Sequence, residues 1–204
     1  MKRKKIGIIN YGYGNIFSVK SAIREINHVP ILSDKLNELK KCDKLILPGV
    51  GAYGDAIKII NKKKLNEVLY ELVINKRKDL LGICLGFQLL GNSSEEMGFH
   101  FGLNFLNFHV EKFSKSKLHI PHIGWNSVNT KTNDLFKNIP NKSLFYFVHS
   151  FCVKKISKNI VIGNTKYIDS FASVLNYRNI YATQFHPEKS QLVGLTLLKN
   201  FIKI

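Results

Sequence analysis

Residues 80–90 read LLGICLGFQLL, and this stretch decides the fold. A short apolar run up to Cys84 predicts a buried strand, and the residues after it predict the start of a helix. Glycine stands two positions before and two positions after the cysteine, at Gly82 and Gly86. This is the pattern of a nucleophile elbow, whose glycines permit a sharp turn and a close approach of the backbone. The stretch therefore predicts a strand, a tight turn that presents a thiol, and a helix.

A thiol in that turn has surroundings that suit a nucleophile. The N-terminus of the helix after Cys84 would favour a negative charge on the sulfur and offer backbone N–H groups to an oxyanion. The alternative interpretation is a buried cysteine that acts as a small apolar residue. Covalent catalysis also requires a base and a group that orients the base. The rest of the chain must therefore decide between the two interpretations.

The sequence before this stretch alternates between strand and helix patterns. Apolar runs and helical spacings predict strands at residues 5–10, 29–32 and 44–47, a helix capped by Asn15 at 16–26, and a helix at 65–75. This alternation predicts a parallel sheet with helices on both faces. Ligands of such sheets bind at the carboxyl ends of the strands, where Cys84 and the loop 48–51 lie.

The second half of the chain has a different pattern. Short alternating runs extend from residue 99 to 128, further strands are predicted at 145–148, 173–175 and 181–184, and a helical stripe closes the chain at Leu192, Leu195, Leu198, Phe201 and Ile202. No repeat and no linker rich in proline, glycine or serine interrupts it. We therefore expect one α/β domain over residues 1–204, with a mostly parallel central sheet flanked by helices and a small antiparallel extension.

Composition argues against several classes of protein. No run approaches the ~20 apolar residues of a membrane span, and the apolar run after the basic N-terminus is too short for a signal peptide. We therefore expect a cytoplasmic protein without a membrane partner. The chain has 3 cysteines and no CxxC pair, which argues against a disulfide framework or a structural zinc site. We expect neither a metal nor a cofactor.

The net charge of +17 has two interpretations. A strongly basic chain can bind nucleic acid or an acidic surface, and a non-catalytic basic module is the alternative function from another class. The lysines are scattered in small groups, however, and no cluster interleaves arginines with aromatic residues. We favour a solvated surface and expect no nucleic-acid partner.

Residues 184–188 read QFHPE and supply the base that the thiol needs. His186 and Glu188 stand two positions apart after a predicted strand, so both side chains can point to one side. Pro187 stiffens the turn between them. Glu188 could then hold the imidazole while His186 receives the proton of the thiol. Each motif alone is weak, and the pair strongly favours catalysis over a structural cysteine.

Taken together, these motifs resemble the class I glutamine amidotransferase family over essentially the whole chain. The cysteine and histidine motifs stand in the family order with PGVGA at residues 48–52 and FVHS at 147–150. Within the family, NYGYGN at 10–15 and PHIGWN at 121–126 resemble the glutaminase subunits of imidazole glycerol phosphate synthases. The resemblance implies a flavodoxin-like α/β fold. It also implies hydrolysis of L-glutamine to glutamate and ammonia.

The resemblance assigns the roles of the catalytic groups. Cys84 would be the attacking thiolate that forms a γ-glutamyl thioester, His186 the general base and acid, and Glu188 the group that orients His186. Family knowledge makes the backbone N–H of Leu85 one oxyanion donor and the loop that contains Gly49, Val50 and Gly51 the second.

In the family this loop must flip to complete the oxyanion hole, which keeps activity low until a partner binds. Gln88, Glu96, Ser150 and Phe151 match positions that contact the substrate glutamine. The alternatives are a local hydrogen bond for Gln88 and a solvated face for Glu96, which we favour over Glu95 by its distance from the cysteine.

The resemblance also implies a heterodimer with a cyclase subunit of the (β/α)8 type, which uses the ammonia in histidine biosynthesis. His122 and Trp125 match the partner interface, with internal packing as an equally weighted alternative, and Asn10 and Asn15 match the region of the ammonia exit. His149 is expected to be structural or adjacent to substrate. A second possibility within the family is a paralogous glutaminase that supplies an amidotransferase of surface-polysaccharide or nucleotide-sugar biosynthesis.

Overall fold

The structure is a computed structural model that describes residues 2–204. Its strands are β1 (Lys5–Ile9), β2 (Val29–Ser33), β3 (Lys44–Leu47), β4 (Leu80–Ile83), β5 (Ser93–Ser94), β6 (His100–Phe101), β7 (His109–Lys112), β8 (His122–Ser127), β9 (Asn129–Thr130), β10 (Leu144–His149), β11 (Phe151–Cys152), β12 (Val161–Lys166), β13 (Ser170–Tyr177) and β14 (Ile180–Thr183). Its helices are α1 (Ile16–Glu25), α2 (Leu36–Leu39), α3 (Tyr53–Lys62), α4 (Leu65–Leu69), α5 (Leu85–Gln88) and α6 (Gln191–Lys203).

A central eight-stranded sheet organises these elements in the order β2–β1–β3–β4–β14–β13–β12–β9. The first five strands of that order pair in parallel, and the last three continue the sheet in antiparallel pairs. The carboxyl ends of β4 and β14 are neighbours, because Thr183 pairs with Ile83. The predicted mostly parallel sheet is therefore confirmed. The register also brings the segment that contains His186 next to the cysteine.

Two smaller sheets form the predicted extension. β10 and β8 pair antiparallel over six residues, from Leu144 opposite Ser127 to His149 opposite His122. A four-stranded sheet has the order β11–β7–β5–β6, in which only the β5–β7 pair is parallel. The segment from Val148 to Phe151, at the end of β10 and the start of β11, supplies one wall of the site described below.

The core lies on both faces of the central sheet. Side chains alternate along each strand, so Ile8 packs on one face and Ile9 on the other, and both are fully buried. α1 and α6 cover the first face through residues such as Val19 and Leu198. α3 and α4 cover the second face. Strands buried on both sides explain why the sequence shows continuous apolar runs here rather than alternation.

Helix α3 was not predicted from the sequence. Its first backbone N–H, at Tyr53, donates to Glu96 Oε2 at 2.8 Å, whereas Ala52 at the N-cap position has no side chain that could do so. The acceptor that caps the first turn of this helix therefore comes from a residue 43 positions away in the sequence.

The predicted helix at 65–75 exists as α4 followed by a π-helical turn from Tyr70 to Asn75. The closing helix is confirmed as α6, although Leu192 of its stripe is 78% exposed. The buried face of α6 is instead formed by residues such as Leu197 and Phe201.

No helix among residues 2–204 is long and apolar enough to cross a membrane. In the same residues, no group of three or more histidine, cysteine, aspartate or glutamate side chains is arranged to hold a metal ion.

Candidate active site

Cys84 sits in a strained turn between β4 and α5. Its φ is +52° and its ψ is −109°, a conformation that residues with a side chain rarely adopt. A Cβ at Gly86 would lie 1.8 Å from the carbonyl oxygen of Leu47, and a Cβ at Gly82 would lie 2.9 Å from the carbonyl oxygen of Gly86. Both glycines are therefore required by close packing. The helix that follows begins where the sequence predicts it and is only one turn long.

The turn points the sulfur into a cavity of about 310 Å³. Its lining combines the loop before α3, the start of α5 and the end of β10 with side chains from other segments: Val50, Gly51, Cys84, Leu85, Gln88, Glu96, Val148, His149, Ser150, Phe151 and Lys189. The structure thus brings together the predicted substrate residues Gln88, Glu96, Ser150 and Phe151. A cavity of this size and partly polar lining suits an amino acid.

His186 and Glu188 form a buried pair at the end of β14. His186 Nδ1 lies 2.8 Å from Glu188 Oε1, and each side chain is 1% exposed. Glu188 therefore fixes the proton on Nδ1 and leaves Nε2 free of other partners within residues 2–204. Burial lowers the pKa of His186, but the Cys84 thiolate and the Glu188 carboxylate outweigh it and raise the pKa to about 10. The ring is thus electrostatically coupled to the sulfur.

The expected oxyanion donors surround the start of α5. Leu85 is the first residue of that helix, so its backbone N–H has no partner within the helix. The loop of Gly49, Val50 and Gly51 packs against it: a Cβ at Gly49 would lie 2.7 Å from the Gly86 nitrogen. The hydroxyl of Tyr11 donates to the carbonyl of Pro48 at 2.9 Å and holds the beginning of the loop.

Two of the expected substrate residues are themselves held by the protein. Gln88 Nε2 donates to the carbonyl oxygen of Phe151 at 2.9 Å and to Gln184 Oε1 at 3.1 Å. The carboxylate of Glu96 faces the cavity while it caps α3 at Tyr53. Glu95 is exposed, accepts from the backbone of Lys112 and does not line this cavity. Geometry therefore favours Glu96 over Glu95 as a contact of the substrate.

His122 does not lie on the surface. It is 3% exposed, and its ring stacks on Tyr167 at 4.1 Å and on Phe147 at 4.9 Å between centroids. Of the two interpretations of His122, this position favours internal packing over a contact with a partner. The sequence could not show the burial because the stacking partners come from β10 and from the turn before β13.

His122 also belongs to a chain of hydrogen bonds that ends at the cavity. His149 Nδ1 lies 2.8 Å from the Phe151 carbonyl, His149 Nε2 lies 3.0 Å from His122 Nδ1, and His122 Nε2 lies 3.2 Å from Asn126 Nδ2. The carbonyl can only accept, so His149 carries its proton on Nδ1 and both rings are neutral. Burial lowers the pKa of His122 to about 4 and that of His149 to about 3.

The other residues expected near a partner have more open positions. Trp125 is 45% exposed and packs edge-on against Tyr146, with centroids 6.1 Å apart. Asn15 caps α1 through a 3.4 Å bond from the Ser18 N–H. Asn10 follows β1, and its carbonyl accepts from Lys63 Nζ at 3.3 Å.

Gln184 lies in the motif of the predicted base, but no role for it was predicted from the sequence. Its Nε2 lies 3.8 Å from Cys84 Sγ, and the residue is fully buried. The spacing could have predicted a place for Gln184 in the site, because a residue two positions before His186 on an extended segment faces the same side as the histidine. Lys189, which lines the cavity one residue after Glu188, was also missed.

Comparisons with known proteins agree with this geometry. Residues 8–204 match the family model described as "Glutamine amidotransferase class-I". The chain is 44% identical over 200 residues to "Imidazole glycerol phosphate synthase subunit HisH" of Methanocaldococcus jannaschii, covering 98% of this chain and 99% of that protein. It is 40% identical over 204 residues to the protein of the same name from Leptospira borgpetersenii, covering 98% and 100%.

Solved structures share the fold at low sequence identity. A glutamine amidotransferase aligns with a TM-score of 0.76 at 16% identity, covering 97% of each chain. Another glutamine amidotransferase, from Thermotoga maritima, aligns with a TM-score of 0.68 at 18% identity, covering 100% of this chain and 82% of that one. The elbow, the histidine–glutamate pair and these matches lead to one conclusion: the chain belongs to the class I glutamine amidotransferase family.

Proposed function

We propose that this chain is the glutaminase subunit of an imidazole glycerol phosphate synthase and that residues 1–204 form one amidotransferase domain. The observation that carries the proposal is the strained Cys84 turn beside the buried pair of His186 and Glu188. The names of relatives that match over 98% of the chain support the choice of reaction pathway.

In the proposed reaction, the Cys84 thiolate attacks the side-chain amide carbon of glutamine. The carbonyl electrons move onto oxygen, where the Leu85 N–H and the loop around Val50 would stabilise the charge. Collapse of this intermediate breaks the carbon–nitrogen bond, and His186 Nε2 gives a proton to the leaving ammonia. A γ-glutamyl thioester remains on the sulfur.

Water completes the cycle by attacking the thioester carbon. His186 takes a proton from the water, the carbon–sulfur bond breaks, and glutamate and the thiolate are released. Glu188 keeps the same ring nitrogen protonated throughout, so Nε2 can serve as acid in one half and base in the other. The burial of both side chains prevents water from competing for these bonds.

The cavity offers groups for the amino-acid end of glutamine. The carboxylate of Glu96 would accept from the substrate ammonium group. The backbone of Ser150 and Phe151 would lie against the rest of the substrate, and Gln88 would contact it from the helix that follows the cysteine. These assignments agree with the lining of the cavity.

We propose that the partner is a cyclase of the (β/α)8 type, which receives the ammonia in a heterodimer and works in the cytoplasm, where histidine is made. The half-exposed Trp125 would anchor the interface, because a partly exposed aromatic side chain can bury a large apolar area on binding. Asn10 and Asn15 lie in the turn between β1 and α1 and would contact the partner near the ammonia exit.

A paralogous glutaminase for a sugar amidotransferase is the second candidate, because it would use the same arrangement of Cys84, His186 and Glu188. The deciding experiment is to purify the chain with the candidate cyclase of its own cell and to measure glutamate release and imidazole glycerol phosphate formation. We expect both products with glutamine as the nitrogen source.

Cys84→Ala is the matched control. It should abolish glutamate release, while added ammonium salt restores imidazole glycerol phosphate formation by the same complex. Failure of the complex to form, or product formation with a sugar amidotransferase instead, would reject the histidine pathway. Glutamate release by Cys84→Ala would reject the proposed chemistry.

A further inference from the structure

Gln184 connects the nucleophile to the substrate side of the cavity. Its Nε2 lies 3.8 Å from Cys84 Sγ, and its Oε1 lies 3.1 Å from Gln88 Nε2. The residue is fully buried, so both polar atoms of its amide must find partners inside the protein. The proposed steps of glutamine hydrolysis do not use this side chain.

The orientation of the Gln184 amide follows from its neighbours. The Phe151 carbonyl oxygen can only accept, so the Gln88 atom that lies 2.9 Å from it must be the nitrogen. The same nitrogen faces Gln184, which must therefore present its oxygen to Gln88. The remaining end of the Gln184 amide is the NH₂ group, and it faces the sulfur.

The carbonyl that sets this orientation is held from its other side. His149 Nδ1 donates to the same oxygen at 2.8 Å, and the chain of hydrogen bonds continues through the buried His122 to the partly buried Asn126. The orientation of the amide is thus determined by a series of buried groups rather than by one rotatable side chain. Such preorganised donors do not need to reorient during a reaction.

The second contact of the sulfur has the opposite effect. The carbonyl oxygen of Val148 lies 3.8 Å from Cys84 Sγ, where it can accept from a thiol but repels a thiolate. A donor that faces the same sulfur would offset this repulsion. Gln184 is the side-chain amide that supplies such a donor.

We propose that Gln184 is a further catalytic residue, whose side-chain N–H donates to Cys84 Sγ and stabilises the thiolate. The inference rests on the proposed role of Cys84 as the nucleophile. A hydrogen bond to a charged atom is stronger than one to a neutral atom, so the donor favours the thiolate over the neutral thioester sulfur. It therefore assists formation of the nucleophile and, in the second half of the reaction, its departure from the thioester.

The test is the pH dependence of alkylation of Cys84 by iodoacetamide, measured on the full chain without glutamine. In this reaction the sulfur bonds to the methylene carbon and iodide leaves, so the rate follows the thiolate fraction. Cys84→Ala gives the background from Cys42 and Cys152. We expect Gln184→Met to move the half-maximal rate upward by about one pH unit, equivalent to a tenfold change.

Gln191→Met is the matched control, because Gln191 is exposed at the start of α6. It should keep the wild-type profile. An unchanged profile in Gln184→Met would overturn the proposal, since a purely structural amide could alter stability without moving this pH. Gln184→Leu also removes the donor and, unlike a glutamate, adds no negative charge beside the sulfur. It should shift the profile in the same direction and decides the question if the methionine variant does not fold.

Glutamate release in the presence of the partner separates this inference from the proposed function. We expect Gln184→Met to lower kcat about tenfold and Cys84→Ala to abolish turnover. If Cys84→Ala is inactive and Gln184→Met retains the wild-type kcat and alkylation profile, only the role of Gln184 is rejected. If Cys84→Ala still releases glutamate, the proposed function itself is rejected.

Discussion

His122 Nδ1 and His149 Nε2 lie 3.0 Å apart in the core, joined by one proton between two neutral rings. Protonation of either ring would place a second hydrogen between the two nitrogens or break a neighbouring bond. Burial accordingly lowers the pKa of both histidines, to about 4 and about 3.

The first prediction follows from this pair and concerns stability in acid. The unfolded chain binds a proton at each histidine near pH 6.5, whereas the folded chain does so only near pH 4 or below. Folding stability therefore falls as the pH drops below 6.5 and continues to fall until the folded pKa values are reached. Each histidine should contribute a loss of about 2 kcal/mol at pH 5, measured by urea unfolding.

Replacement of His122 by phenylalanine should reduce this pH dependence. The exposed His119 offers the control, since His119→Phe should leave the dependence unchanged. If the free energy of unfolding depended on pH equally in the two variants, His122 would not be buried as a neutral ring.

The second prediction concerns the base. Removing the sulfur in Cys84→Ala takes away the thiolate charge that raises the pKa of His186, while burial, which lowers it, remains. The pKa of His186 should therefore fall below its value of about 10. Titration of the ring by NMR in the variant and the wild type measures the change, and an unaltered pKa would show that sulfur and ring are not coupled.

The third prediction uses the strain at Cys84, whose φ is +52°. Glycine adopts such a conformation without steric cost, so Cys84→Gly should be more stable than Cys84→Ala by about 1 kcal/mol. In an unstrained position the order is usually the reverse. Thermal or urea unfolding of the two variants distinguishes these cases.

The fourth prediction separates the two contacts of Glu96. Glu96→Gln keeps an oxygen for the Tyr53 N–H but loses the charge, so the KM for glutamine should rise while stability changes little. Glu96→Ala should also lose about 1 kcal/mol, because α3 loses its cap. Glu95→Gln, at the exposed neighbour, should alter neither quantity. A normal KM in Glu96→Gln would exclude an ionic contact with the substrate.

The fifth prediction addresses the interface. Trp125→Ala should weaken binding of the proposed cyclase by about 2 kcal/mol or more, measured by calorimetry, since buried aromatic anchors contribute disproportionately. Tyr177→Ala provides the comparison, because Tyr177 is 38% exposed beside the amino end of β14, whereas Cys84 follows the carboxyl end of the neighbouring β4. Equal effects of the two substitutions would argue against an interface at Trp125.

The sequence was most informative where function depends on local geometry. Gly82 and Gly86 are needed within the turn itself, so the pattern around Cys84 predicted the elbow directly. His186 and Glu188 are two positions apart, and their contact follows from that spacing once the segment is extended. The parallel strands were also predictable, because a strand buried on both faces must be apolar throughout.

Features that depend on distant partners were not predictable. Helix α3 begins at a cap supplied by Glu96, and the burial of His122 depends on Tyr167. The contact of Gln184 with sulfur requires Gln88, which is 96 positions away, to turn the amide. In each case the residue type alone allows several environments, and only the tertiary structure selects one.

The cap at Tyr53 connects two parts of the site that the chain itself separates. α3 starts directly after the loop that contains Val50 and Gly51, and its first N–H shares the Glu96 carboxylate with the cavity. An ammonium group that binds this carboxylate would compete with the helix for the same charge. Binding of glutamine in the cavity would then weaken the hydrogen bond between Glu96 and the Tyr53 N–H, which holds the end of the loop. By thermodynamic reciprocity, a partner that rearranges the loop would alter the affinity for glutamine by the same factor.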